Sequence, residues 1–206
     1  MALTFQYRGD EFQERQTPAR IALFPGAWNP PTVAHLAMAR TALEHLDEVV
    51  WLLPRAFPHK SFEGANFDQR VEMLCRIARG ERGFSMAVAE GGLYFEMADE
   101  ARAFFGPEPE IMLLCGKDAA ERIAGWDYGR PGVFDSMVER YPLLVAERAG
   151  EYLPEARHAD RVTRVTMDGD FRDVSSTELR SRLRGGLPWK HLIPEAIVEM
   201  AERIYV

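Results

Sequence analysis

Two segments of this 206-residue chain carry side chains whose types and spacing could hold a polyphosphate. The first is Gly26-Ala27-Trp28-Asn29-Pro30-Pro31-Thr32-Val33-Ala34-His35. An apolar run ends just before it, the glycine permits a tight turn, two prolines stiffen the loop, and helical spacing begins near Thr32 with His35 in the first turn. Free N–H groups and the dipole at a helix N-terminus favour an anion, so the imidazole would stand beside a phosphate. Turn chemistry alone would also account for the Gly, Pro and Asn, leaving His35 a surface or capping residue. The second segment is Val174-Ser175-Ser176-Thr177-Glu178-Leu179-Arg180. Its three hydroxyls can cap a helix and donate to phosphate oxygens, and Arg180, further along, can bring a guanidinium to the same anion. Ser/Thr followed three residues later by Glu is equally an ordinary capping box. Brought together across a parallel sheet, the two helix starts would form a two-sided phosphate clamp.

The surrounding elements suit that placement. Apolar runs at 21–24, 49–53, 111–115 and 143–146 are short and uniformly apolar, as strands covered on both faces are. Stretches with helical spacing lie between them, at 32–46 and at 67–78, the latter with Val71, Leu74 and Ile77 on one face and closed by Gly80. A strand around 162–167 leads into the hydroxyl cluster, whose helix carries Leu179 and Leu183 and stops at Gly185-Gly186; a last helix follows Pro194, with Ile197 and Ile204 on one side. Alternation of buried strands with helices predicts an α/β fold, a doubly wound, mainly parallel sheet with helices on both faces. In such sheets the end of the first strand is where ligands bind. Residues 1–19 are polar and read as an N-terminal extension, a frayed helix outside the main fold, with 20–206 as a single domain.

Composition narrows the partners. Lys and Arg number 25 against 32 Asp and Glu, a net charge of −7, without the broad positive field that draws a protein to nucleic acid. A few cations gathered in one cleft can still hold a small phosphate ligand. Cys75 and Cys115 sit in apolar stretches without metal-ligand spacing and read as buried, reduced thiols. No apolar run approaches the roughly 18 residues of a membrane span and the N-terminus has no leader pattern, so a cytoplasmic enzyme is expected. A P-loop kinase does not fit, because Gly116-Lys117 is followed by Asp118, where that motif needs Ser or Thr.

The segment ending in His35 resembles the (His/Thr)-x-x-His signature of the nucleotidyltransferase superfamily, and Ser175-Ser176-Thr177-Glu178-Leu179-Arg180 is similar to its Ser-Ser-Thr-x-Ile-Arg partner. Further matches occur in the expected order: Pro54, Pro58-His59-Lys60, Asp68-Gln69-Arg70 with Met73, Gly116-Lys117-Asp118 with Trp126, Arg148-Ala149-Gly150, and the tail from Leu192-Ile193-Pro194 to Tyr205. Together they resemble the nicotinate/nicotinamide mononucleotide adenylyltransferases over nearly everything from Arg20 onward. The resemblance implies a Rossmann-like fold of nucleotidyltransferase type. It also implies a reaction: a mononucleotide phosphate attacks the α-phosphorus of ATP, and a dinucleotide and pyrophosphate result, in NAD biosynthesis. His35 and Arg180 would be catalytic, His35 donating to an α-phosphate oxygen. Gly26, Ala27, Trp28, Thr32, Gly116, Asp118, Ser175, Ser176 and Thr177 would bind ATP, the turn at Gly26 letting adenosine approach the backbone and Gly116 and Asp118 lying beside the ribose or the metal. Lys60 would take the acceptor's 5′-phosphate, Trp126 would stack on its pyridine ring with Tyr128 nearby, and Arg148 would assist. Mg²⁺ would bridge phosphate oxygens with no dedicated protein metal site.

Three departures bear on the acceptor. Ala34 stands where the family often has Gly. Asn29 and Thr32 follow the nicotinamide rather than the bacterial nicotinate form. Gly91-Gly92-Leu93-Tyr94-Phe95-Glu96 replaces hydroxyls with apolar groups and a carboxylate, and Glu96, pointing inward, would repel a nicotinate and tolerate a neutral amide. Rival readings are a related transferase acting on another phosphorylated acceptor, such as phosphopantetheine, and a nucleotide-binding module without catalysis.

Overall fold

The computed structural model describes residues 3–12, 18–56, 64–147 and 150–206. Its strands are β1 (Thr4–Tyr7), β2 (Arg20–Pro25), β3 (Glu48–Pro54), β4 (Phe84–Ala89), β5 (Glu110–Gly116), β6 (Leu143–Glu147) and β7 (Val162–Thr166). Its helices are α1 (Val33–Leu43), α2 (Phe67–Arg79), α3 (Tyr94–Phe105), α4 (Lys117–Ala124), α5 (Val133–Arg140), α6 (Ser176–Arg184) and α7 (Val198–Tyr205). The strands form one sheet in the order β1-β4-β3-β2-β5-β6-β7. All neighbours pair in parallel except β1, which runs antiparallel to β4.

The uniform apolarity of the strands has a simple cause: each face of the sheet carries its own core. One face packs against α1, α2, α6 and α7 through residues such as Met38, Leu74, Leu179 and Met200. The other packs against α3, α4 and α5 through Met97, Ile123 and Val138. A strand buried on both faces gains nothing from polar alternation. Strand order reverses between β2 and β5, and the loop that leaves β2 and the turn that leaves β5 open at the crevice between them, where doubly wound sheets bind ligands. The doubly wound fold expected from the pattern is therefore the one observed.

Two strands were outside that expectation. β4 contains Ser85, which interrupts its apolar run; the hydroxyl is buried and satisfied, donating to Glu48 and accepting from the Gly9 N–H at 3.0 Å. β1 lies within the stretch expected to stay outside the main fold, and that expectation does not hold for Thr4–Tyr7, which add an edge strand to β4. What holds them is charge as well as pairing. Arg8 donates twice to the Glu48 carboxylate, at 3.2 and 3.1 Å, from a position ringed by Phe5, Phe12, Phe104 and Phe105.

Burial holds the Glu48 carboxyl above its ordinary pKa, and the bonds from Ser85 and Arg8 offset this only in part. A carboxyl whose pKa is higher folded than unfolded binds more protons in the native state, so its contribution to stability is full below the unfolded pKa and is lost as pH rises through the folded one. Glu48→Gln removes that titration while keeping an acceptor for Ser85. Its urea midpoint is expected to gain on the wild type as pH is raised from about 4.5 to 7.5. A difference between the two proteins that stays flat with pH would show that Glu48 does not titrate in this way.

Among the described residues no helix is long and apolar enough to cross a membrane.

Candidate active site

The loop 26–32 joins β2 to α1, and nearly every polar group recorded on it is tied to a distant part of the chain. Thr32 is the N-cap of α1 and forms a reciprocal capping box with His35. The Thr32 backbone N–H donates to His35 Nδ1 at 3.0 Å, with the Thr32 hydroxyl 2.9 Å from the same nitrogen. An Nδ1 that accepts leaves the ring hydrogen on Nε2, so the imidazole presents its opposite edge as a donor. The cap therefore sets both the orientation and the tautomer of His35. Thr32 itself is fully buried, so its hydroxyl aims the imidazole; the expectation that it holds the triphosphate directly does not fit that position.

Trp28 departs further from expectation. Its backbone takes φ +52°, a left-handed conformation unusual for an aromatic residue. That turn folds the indole back into the core, 4% exposed, where Nε1 donates to the Leu52 carbonyl at 2.9 Å. The ring packs against Phe24 and Trp51 and meets His35 edge-on, centroids 5.2 Å apart. The space left by the missing side chain of Gly26 is taken by this indole: a Cβ there would come within 2.6 Å of Trp28 Cε2. Gly26 is thus required by its own loop, whatever else its backbone does. Gly26→Ala must displace a rigid, buried ring, and overpacking of this kind costs about 1–3 kcal/mol. We expect a lower denaturation midpoint together with reduced turnover, since Trp28 abuts His35; a variant as stable as the wild type would refute the packing account.

The second segment reaches this loop from about 150 residues away. Ser175 is the N-cap of α6, its hydroxyl accepting the Glu178 N–H at 3.1 Å. Ser176 Oγ donates to the Pro30 carbonyl at 2.8 Å, and Arg180 Nη1 donates to the Asn29 carbonyl while Nη2 lies 3.4 Å from Thr177 Oγ1. Both helix N-termini, α1 and α6, therefore meet on one loop. Gly116 caps α4 at the end of β5, across the crevice from β2, and Asp118 is exposed in the first turn of that helix. Ala34 is fully buried in the sheet-side core.

On the other face, Tyr128 packs edge-on against Phe95 at the start of α3, centroids 6.1 Å apart, which joins the connection after α4 to the 91–96 segment. Burial pushes the Tyr128 hydroxyl up to about 12 and that of Tyr94 higher still, so both stay protonated. Trp126 and Tyr128 line a pocket of about 500 Å³ together with Arg130, Phe134 and Asp135. None of the residues of loop 26–32 or of α6 lines it. The condition on which Glu96 would repel a nicotinate, that it point inward, is not met: its Oε2 accepts the Gly92 and Leu93 N–H groups, each at 3.0 Å, and caps α3. A carboxylate is the natural partner for an uncapped helix start, since Leu93 at the N-cap offers no side-chain acceptor. Lys60 and Arg148 lie outside the described residues.

Three contributors were not assigned from sequence. Arg70, 6% exposed on α2, donates to the Ala27 carbonyl at 3.1 Å. Asn29, 6% exposed, accepts the Ala65 N–H at 3.2 Å on its side-chain oxygen, and Tyr205 donates to that same oxygen. No local signal could have found these partners, because they are 36 or more residues apart in the chain. Among the described residues no group of three His, Cys, Asp or Glu side chains is placed to hold a metal ion.

The family described as cytidylyltransferase-like matches residues 23–182. A "Probable nicotinate-nucleotide adenylyltransferase" of Salinibacter ruber is 31% identical over 186 residues, which cover 86% of this chain and 92% of the relative. The protein of the same name from Carboxydothermus hydrogenoformans is 26% identical, over 91% of this chain and 98% of its own. Among solved structures, Plasmodium falciparum nicotinic acid mononucleotide adenylyltransferase complexed with NaAD superposes with a TM-score of 0.71 at 16% identity, covering 89% of this chain and 95% of that one; at that identity the likeness concerns the fold.

Proposed function

We infer that this chain, which belongs to the cytidylyltransferase-like family and within it to the nicotinate-nucleotide adenylyltransferases, transfers AMP from ATP to a pyridine mononucleotide and releases pyrophosphate, a step of NAD biosynthesis. The observation that carries the residue-level reading is the contact of Ser176 and Arg180 with the carbonyls of Pro30 and Asn29, because it brings an imidazole, a guanidinium and two helix N-termini to one place.

Adenylyl transfer asks little covalent chemistry of a protein; it needs alignment and neutralisation of charge. An oxygen of the acceptor's 5′-phosphate forms a bond to the α-phosphorus as the bond to the bridging oxygen breaks, and pyrophosphate leaves with that electron pair. His35 Nε2–H donates to an α-phosphate oxygen as charge moves toward the leaving group. Ser175, Ser176, Thr177 and the α6 N-terminus, with Arg180, receive the β- and γ-phosphates. Gly116 and the start of α4 border the ribose. Mg²⁺ accompanying the triphosphate would supply further charge neutralisation, and the exposed carboxylate of Asp118 is the side chain that would help to hold it. Lys60 takes the acceptor's 5′-phosphate, Trp126 offers a ring face to the pyridine with Tyr128 beside it, and Arg148 assists.

Because Glu96 is turned onto its own helix start, it gives no ground for rejecting a nicotinate. The relatives' names put nicotinate mononucleotide first among the acceptors, with the nicotinamide form second. Pyrophosphate release should be measured with ATP against nicotinate mononucleotide, nicotinamide mononucleotide and phosphopantetheine, and with CTP in place of ATP. Turnover is expected with ATP and a pyridine mononucleotide. Release only with another acceptor would assign the chain to a different transferase, and ATP binding without release from any acceptor would make it a binding module.

A further inference from the structure

Asn29 touches four parts of the chain that are far apart in sequence. Its own loop holds it in place, its main-chain carbonyl accepts Arg180 from α6, and its side-chain oxygen accepts both the Ala65 N–H at 3.2 Å and the hydroxyl of Tyr205, the last residue of α7. The packing there is close: Gly64 sits at φ +102°, and a Cβ on it would lie 2.6 Å from Tyr205 Cε1 and 3.1 Å from Asn29 Oδ1. From Asn29 the chain runs through Pro30 and Pro31, whose rings fix φ, to Thr32, whose N–H orients His35. A displacement of Asn29 is therefore passed to the imidazole along a stiff path, and to the guanidinium through a direct bond.

We propose that Tyr205 and Asn29 form a brace that sets His35 and Arg180 in register with one another, so that the C-terminal helix positions the catalytic loop without touching substrate. Both are positioning residues for the reaction inferred above, on which this inference rests. Both donors converge on one acceptor oxygen, so removing either the hydroxyl or that oxygen breaks the link between α7 and the loop.

The test compares Tyr205→Phe and Asn29→Ala in the full chain. Loss of one neutral hydrogen bond in Tyr205→Phe should lower kcat about five- to tenfold with the KM for ATP within about twofold. Hydrogen exchange of amides in 26–34 should quicken by a similar factor while amides of β2 and β5 exchange as in the wild type. Asn29→Ala, which removes the acceptor for both donors, should lose more than Tyr205→Phe. Wild-type kcat in Tyr205→Phe, exchange that quickens evenly across the sheet, or an Asn29→Ala variant less impaired than Tyr205→Phe would each overturn the brace. If the wild type itself yields no pyrophosphate, the adenylyl-transfer reading fails, and the exchange measurement alone decides: localised quickening at 26–34 supports the brace and unchanged exchange rejects it.

Discussion

Replacing His35 with alanine is expected to reduce kcat for pyrophosphate release by about 10²–10³, the usual cost of removing a preorganised donor aimed at developing charge. The KM for ATP should move far less, because an interaction that strengthens mainly in the transition state contributes little to ground-state binding. The capping box with Thr32 makes the expectation specific. Since Nδ1 is held as an acceptor at 3.0 Å from the Thr32 N–H, the donor is Nε2. The variant also loses that side of the cap, a stability cost of about 1 kcal/mol, which leaves most of the protein folded under assay conditions. Steady-state kinetics with a parallel urea titration separate the two effects. Turnover within a few-fold of the wild type would remove His35 from the mechanism.

Arg180 is the second position where a large effect is expected. Its two terminal nitrogens are committed in different directions, one to the Asn29 carbonyl and one toward Thr177 Oγ1. A lysine ammonium at this position keeps the charge and loses the planar fork. Arg180→Ala should lower kcat/KM for ATP by about 10²-fold, through lost neutralisation of the triphosphate and a slackened loop. Arg180→Lys should recover only part of this, with KM for ATP nearer the wild type than kcat. Full recovery by lysine would show that charge alone is needed and that the fork's contact with the loop is incidental.

Much of this site was legible before the fold was known. Gly26 through His35 and Ser175 through Arg180 are local patterns: a turn, two caps and two helix starts, each decided by side-chain-to-backbone bonds spanning about three residues. Five of the seven strands among the described residues could be read for a related reason, since a strand covered on both faces is apolar along its whole length. β4 was concealed by Ser85, whose burial is tolerable only because Glu48 and Gly9 reach it from other strands and loops. β1 was concealed by its polarity, which is that of an edge strand, and by dependence on a buried carboxylate 40 residues away.

The roles that changed are those in which a side chain had more than one available partner. Trp28 and Gly26 looked like components of an open nucleotide turn, but a large ring next to a glycine is drawn into the core by burial of its apolar area. The direction of Glu96 could not be read from sequence, and the N–H groups of Gly92 and Leu93 at its own helix start decide it. By itself, then, the sequence determined the alternating α/β order, the two helix starts and the imidazole and guanidinium they carry, because periodicity and capping act over a few residues. The tertiary structure alone decided that Ser176 and Arg180 close on the loop of His35, that Arg70 and Tyr205 hold that loop from beneath, and which way Trp28 and Glu96 turn. Those choices depend on which remote donors and cavities arrive at the same point, and the chain specifies that only once the sheet has brought its strand ends together.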